Sequence, residues 1–103
     1  MSYRMSAVST SLQKEAESIF TDLGYEVTPE GAEIQAQRKW RVVQVTPMAE
    51  PSEPPRSGNL RCFVTHAESV SILEEKLERV DPEYEWAIIG VDDDGYEVSR
   101  RPS

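Results

Sequence analysis

The segment Lys39-Trp40-Arg41-Val42-Val43-Gln44-Val45-Thr46-Pro47 decides the fold of this chain. Its β-branched residues and its tryptophan favour a strand, and its proline ends that strand. Val43 and Val45 share one face of the strand, and Trp40 and Val42 share the other. A strand that is apolar on both faces needs cover on both, so we expect it inside a sheet rather than at an edge. The other apolar segments then pack on it or pair beside it.

The residues before this segment predict one helix and two strands. An apolar stripe with helical spacing is followed by Gly24, which can supply a left-handed helix end. The stripe consists of Leu12, Ala16, Ile19, Phe20 and Leu23. Residues 25–28 and 33–38 alternate in polarity, which predicts two strands separated by a turn at residues 29–31. A tight turn at Arg38-Lys39 leads into the deciding strand.

The residues after this segment predict a strand, a helix and a hairpin. Residues 60–65 read as a strand, and Thr65 to Glu68 has the spacing of a capping box at the start of the second helix. Residues 84–91 form the most apolar strand, with no polar face at Trp86-Ala87-Ile88-Ile89, so we expect both of its faces to be covered. Asp94-Gly95 is a strong signal for a hairpin into the last strand.

One domain accounts for all 103 residues, because a chain of this length builds one core. We expect an α+β or α/β fold in the order α-β-β-β-β-α-β-β, with a mixed sheet of five to six strands and two helices mainly on one face. The domain covers residues 9–100. Residues 1–8 are expected to be disordered, and residues 101–103 form a tail. The proline-rich segment 47–59 is expected to be an exposed loop that buries nothing.

The chain is acidic, with 11 Lys+Arg against 19 Asp+Glu and a net charge of -8. Its only lysines are Lys14, Lys39 and Lys76. An acidic surface poor in lysine suits high salt, where self-repulsion is screened, although an ordinary acidic cytosolic protein has the same signature. Cys62 is the single cysteine, which excludes an internal disulfide and favours the cytoplasm. No apolar run is long enough to span a membrane.

No arrangement of residues completes a catalytic or metal site. Asp92-Asp93-Asp94 ends at a glycine after three residues, unlike a calcium loop, and reads better as a solvated hairpin tip. Cys62 shares a strand face with apolar residues, which predicts a buried, unreactive thiol rather than a nucleophile paired with His66. We therefore expect no enzyme, no bound metal and no cofactor.

Most of the positively charged residues could gather on one side of the sheet, near Trp40. The residues concerned are Arg38, Lys39, Trp40, Arg41 and Arg61, with Arg100 and Arg101 at the C-terminal end. Together they could bind phosphate or single-stranded nucleic acid by charge and stacking. The alternative, which we favour, is that these arginines pair with glutamates across strands or with a second chain. The glutamates are Glu26, Glu33, Glu85 and Glu97.

The element order, with Gly24-Tyr25-Glu26-Val27 after the first helix, resembles the core of the PD-(D/E)xK nuclease and resolvase superfamily. The resemblance implies an acidic residue on the second strand, where Glu33 could stand, and an ExK motif on the third. The third strand carries Gln44-Val45-Thr46 there instead. The resemblance therefore implies a relative without catalytic residues, and fold alone does not establish function.

Four segments resemble a family of small haloarchaeal proteins of unknown function. They are residues 16–20, 38–43, 60–65 and 82–91. This resemblance implies a halophilic, cytoplasmic protein and assigns no site residues. We expect a non-enzymatic interaction or regulatory protein that binds an unknown protein partner or self-associates through a sheet edge or an exposed aromatic. The alternative is a nucleic-acid or phosphate-binding module of nuclease-like fold, and no membrane association is expected.

Overall fold

The structure, a computed structural model, describes residues 8–100 and the side chains of residues 12–99. It has two helices, α1 (Val8–Asp22) and α2 (Val70–Val80), and six strands, β1 (Glu26–Glu30), β2 (Glu33–Arg38), β3 (Arg41–Pro47), β4 (Leu60–His66), β5 (Glu85–Asp92) and β6 (Gly95–Arg100). The predicted order of elements is confirmed. The disorder predicted for residues 1–8 falls outside the described residues except at Val8, where α1 begins, and the tail 101–103 lies outside them.

The six strands form one mixed sheet in the order β1-β2-β3-β4-β5-β6, which is also their order in the chain. The pairs β1–β2, β2–β3 and β5–β6 are antiparallel, whereas β3–β4 and β4–β5 are parallel. Strands β3 and β5 are interior strands, as predicted. The edges of the sheet are β1 and β6.

The two helices cover opposite faces of the sheet, so the prediction that both lie mainly on one face is wrong. Helix α1 packs on one face, here the α1 face, in a cluster that includes Val45 and Val64. Helix α2 packs on the other, the α2 face, through Leu73 and Leu77 against Phe63. The two parallel connections both lead to the next strand in the same direction, and their common handedness puts them on one face. That leaves the other face to α1.

The proline-rich loop between β3 and β4 is the first of these crossovers. Most of it is exposed, but the expectation that it buries nothing is wrong. Pro54 is buried, Met48 packs against the α2 cluster, and the carbonyl of Pro55 accepts a hydrogen bond from the Tyr84 hydroxyl. The loop therefore covers part of the sheet beside α2, where a parallel connection usually has a helix.

Strand β3 begins one residue later than the pattern suggested, because Trp40 lies in the turn. Val43 and Val45 are buried as expected, whereas Val42 on the opposite face is 44% exposed. The expectation that both faces of this strand are covered is thus wrong. The strand residues in the cluster under α2 come from β4 and β5, so α2 leaves this face of β3 uncovered at Val42, while the loop partly covers Gln44 and Thr46.

The capping box predicted at Thr65 does not form. Thr65 is buried in β4, and its Oγ1 has no hydrogen-bond partner within residues 8–100. A 3₁₀ turn (Ala67–Ser69) joins β4 to α2, and neither its N-cap nor that of α2 makes a side-chain hydrogen bond. In the described part of the chain, neither helix is long and apolar enough to cross a membrane.

Candidate functional site

The β2–β3 hairpin places four of the five predicted site residues at one point. Register pairs Arg38 with Arg41 and leaves Lys39 and Trp40 as the two turn residues. Lys39 takes a left-handed backbone conformation with φ 56°, which a two-residue hairpin turn demands of at least one residue. Trp40 is 85% exposed, more than any other large apolar side chain described. We call residues 38–41 the tip.

Arg38 and Arg41 of the tip lie beside the C-terminal end of α1. Arg38 and Arg41 continue the alternation of Ala36 and Val43, which are buried under α1, so both belong to the α1 face. Arg38 Nε lies 3.5 Å from the point where a Cβ of Gly24 would stand. Among the side chains that the structure describes, none pairs ionically with Arg38, Lys39 or Arg41. The favoured pairing with glutamates is therefore not seen for these three.

Arg61 is separated from the tip and is engaged elsewhere. It is 7% exposed, and its Nη1 lies 3.2 Å from Glu33 Oε2 and 3.4 Å from Thr46 Oγ1. Its Nε donates to the Ser57 carbonyl at 2.9 Å, and its guanidinium carbon lies 5.6 Å from the centre of the Tyr84 ring. These partners lie on the α2 face, opposite to Arg38 and Arg41. The Arg61 side chain is therefore engaged apart from the other four residues, although Arg61 and Arg41 both contribute to the groove described below.

The contacts of Arg61 hold the proline-rich loop to the sheet. Burial raises the pKa of the Tyr84 hydroxyl, and the nearby Arg61 charge lowers it in part. The hydroxyl therefore stays protonated at neutral pH and donates to Pro55. Gly58 has φ 144°, and a Cβ there would lie 2.8 Å from Arg61 Nε, so only glycine suits this approach. Arg61 and Tyr84 thus hold the loop to the sheet by hydrogen bonds to two of its carbonyls, those of Ser57 and Pro55.

A groove of about 350 Å³ runs along the α1 face from the tip to β6. Arg41 lines it from β3, Glu85 from β5 and Val98 from β6. The remaining lining is mainly apolar and includes Phe20, Leu23, Tyr25, Leu60, Ala87 and Ile89. The groove exists because α1 packs mainly on β1 to β4 and ends before it covers β6. Leu23 and Val98 are consequently 44% and 49% exposed.

The other predicted candidates lie apart from the tip, although Cys62 also lines the groove. Cys62 is buried, as predicted, and His66 lies four residues further along the same strand, about 13 Å away, so the two cannot act as a nucleophile and base. Asp92 Oδ1 accepts a hydrogen bond from the Asp94 N–H at the β5–β6 turn. Within residues 8–100, no three His, Cys, Asp or Glu side chains converge to hold a metal.

Sequence reasoning found the tip and missed the groove. A run of four residues with three cations and a tryptophan is visible in the sequence. The groove depends on where α1 ends relative to β6, which no local pattern encodes. The only available signal was the alternation of Tyr96 and Val98, two apolar residues on one face of the last strand. Arg100 and Arg101, also named as candidates, have no described side chains.

A comparison with known protein families gives one match. The family model described as a family of unknown function (DUF7116) matches residues 13–100. No curated protein and no solved structure matches the chain. The match covers both helices and all six strands apart from the first residues of α1.

Proposed function

Because the chain belongs to a family of unknown function (DUF7116), we propose a function from the surface of the chain itself. We propose that it is a non-enzymatic interaction protein that binds a protein partner at the tip and the groove. One observation carries this proposal. Trp40 is 85% exposed at the end of a hairpin, where it contributes nothing to the core. Tryptophan and arginine are the residues most enriched among those that dominate binding energy in protein interfaces.

Arg41 connects the tip to the groove, which defines the chemistry of the partner. Arg41 lines the groove and neighbours Trp40 in the chain. Its charge has no carboxylate partner among the described side chains, nor does that of Arg38 opposite it. A segment with apolar side chains would fill the groove, and an acidic group at its end would meet the two arginines. The partner we propose is a protein segment of this kind.

The residues that could support catalysis are either hydrogen-bonded to other side chains or buried, which favours a binding role. Glu33 stands where the nuclease resemblance implies a metal ligand, but its Oε2 accepts hydrogen bonds from Arg61 and Thr46. A guanidinium cation at this carboxylate competes with any metal cation for the same oxygen. Cys62 is only 5% exposed where it lines the groove, and His66 lies about 13 Å along the same strand, too far to serve as its base.

Replacing Trp40 with alanine should abolish capture of the partner and leave the fold unchanged. The side chain is exposed, so we expect the free energy of unfolding to change by less than about 0.5 kcal/mol. The measurement is affinity capture in molar KCl from an extract of the source cells, with wild-type protein and the variant as baits. Ile72→Ala on α2 is the matched control, because Ile72 is also an exposed apolar residue. Equal capture by all three baits would contradict the proposal.

A second candidate function is binding of single-stranded nucleic acid or phosphate by the tip. The observation in its favour is that three cations without ionic partners surround one exposed tryptophan. One stacked base contributes only about 1–3 kcal/mol, and a net charge of -8 repels a polyanion. Light scattering after size-exclusion chromatography with a labelled oligonucleotide at low salt distinguishes the two functions. Co-elution that Trp40→Ala abolishes would favour nucleic acid.

We propose in addition that the protein works in the cytoplasm of a haloarchaeon, because its acidic, lysine-poor surface suits molar salt. Raising KCl from 0.1 M to 1 M shortens the Debye length from about 10 Å to about 3 Å. We expect the free energy of unfolding to rise over this range as self-repulsion is screened. Urea unfolding at each salt concentration measures this change. Near the pI of about 4.6 the net charge vanishes, and the salt effect should vanish with it.

A further inference from the structure

The two edges of the sheet differ in how well they are protected. Edge strand β1 carries Pro29 followed by Glu30, and such residues hinder pairing with another strand. Edge strand β6 has no proline and is six residues long. On its α1 face, Tyr96 and Val98 are 43% and 49% exposed. Strand β6 is therefore an open edge with an apolar side.

The backbone of β6 has its free hydrogen-bonding groups at these same residues. The β5–β6 hairpin closes at the pair Asp92–Gly95, and hydrogen-bonded pairs alternate along an antiparallel ladder. Counting from that closing pair, Glu97 and Ser99 bond to β5. The N–H and C=O groups of Tyr96 and Val98 consequently point away from β5, towards a further strand.

We propose that this strand is β6 of a second copy, paired antiparallel about a two-fold axis at Val98. This register places Val98 opposite Val98, Glu97 opposite Ser99, and Tyr96 opposite residue 100. It sets no like charges opposite each other. The neighbouring register, centred on Glu97, would set two carboxylates face to face, which destabilises a sheet. A register centred on Ser99 would pair Glu97 with a residue beyond the strand.

The second copy also contributes to the groove. Val98 lines the groove at its β6 end, which is the side that the first copy leaves open. A two-fold axis perpendicular to the sheet puts both α1 faces on the same side. The second copy's Tyr96 then lies opposite residue 100, next to Val98, and closes this end. The dimer thus joins two grooves across a continuous twelve-stranded sheet, twice the six strands of one copy.

The charge of the chain determines the salt dependence of this pairing. Each copy has a net charge of -8, so two copies repel each other at low salt. Screening should strengthen the dimer as KCl rises, the opposite of what is expected for binding to a polyanion. The pairing uses β6 and not the tip, so the loss of partner capture in Trp40→Ala would leave it intact.

The first test is the molar mass by light scattering in 2 M KCl over a concentration series. We expect the mass to rise towards twice the 11.7 kDa of one chain, and to remain at one chain for Val98→Lys. Val98 is exposed, so this variant should fold, which circular dichroism checks. A wild-type mass that stays at one chain up to millimolar concentration, or a dimer that survives Val98→Lys, would overturn the proposal.

The second test fixes the register by disulfide formation. Hydrogen-bonded residues opposite each other in an antiparallel pair have Cα atoms about 5.5 Å apart, which a disulfide can bridge. Val98→Cys should therefore form a covalent dimer under mild oxidation. Ser99→Cys is the matched control, because its two copies would lie about 8 Å apart, beyond disulfide reach. Wild-type protein controls for the buried Cys62. Equal cross-linking of the two variants would reject this register.

Discussion

Replacement of Arg61 by alanine should lower the free energy of unfolding by about 3 kcal/mol, because it breaks a nearly buried ion pair. The change removes the donor to Glu33 and Ser57 and the cation beside the Tyr84 ring. Glu33 keeps 33% of its side chain exposed, so the carboxylate left behind is partly solvated. The loss should therefore lie at the lower end of the range for buried pairs. Urea unfolding at neutral pH measures it.

The Arg61 variant should also release the proline-rich loop. Without the bond to the Ser57 carbonyl, the loop loses one of the two side-chain hydrogen bonds that hold its middle to the sheet and keeps the other, from the Tyr84 hydroxyl to Pro55, so limited proteolysis should cut it earlier than in the wild type. Arg38→Ala is the matched control, since Arg38 is exposed and should change stability by less than about 0.5 kcal/mol. If Arg61→Ala and Arg38→Ala unfold at the same urea concentration, the buried network does not stabilise the fold.

Replacement of Gly90 by alanine should destabilise the protein by about 2–3 kcal/mol, because the added methyl group has no space. Its Cβ would lie 2.6 Å from Val70 Cγ2 and 3.3 Å from the backbone Cα of Ala67. Gly90 is where the start of α2 and the 3₁₀ turn before it come closest to β5. The methyl group would therefore push this end of the helix away from the sheet. Thermal and urea unfolding both measure the loss.

A double-mutant cycle tests whether the clash is with Val70. Val70→Ala removes the nearer atom, so the loss in Gly90→Ala/Val70→Ala should be smaller than the sum of the two single losses. Gly31→Ala serves as the control for backbone strain without a clash. It has φ 64° but nothing within 4 Å of its Cβ, and it should cost only about 1–2 kcal/mol. Strict additivity in the cycle would show that Val70 is not the obstacle.

The element order was predictable because each element has a strong local signal. The stripe of α1 and the apolar run of β5 each identify one element, and both are confirmed. The face on which α2 packs was not predictable from a local pattern, although the sequence of β4 indicates that both faces of the sheet are covered. Cys62 and Phe63 point to opposite faces of β4 and both are buried, so each face needs its own cover. Which element covers which face depends on crossover handedness, a property of the whole sheet.

The site was only partly predictable because charge alone does not report burial. Arg38 and Arg61 look alike in the sequence, but one lies near a hairpin turn and the other lies beneath a loop. The loop that buries Arg61 is rich in proline, a composition that predicts exposure along its whole length. Its burial depends on Tyr84 and Glu33, which are distant in sequence and reach Arg61 only after the sheet forms. No short segment of the sequence therefore predicts that Arg61 is buried.

The sheet has a consequence for synthesis, because its strand order is the order in which the ribosome makes the strands. Each new strand can pair with the strand made just before it. No later strand has to insert between two strands that were made earlier. Growth therefore proceeds from β1 towards β6, with the α1 face buried first and the α2 face after β5 emerges. Until then, the half-built sheet leaves Phe63 without its β5 neighbours Trp86 and Ile88.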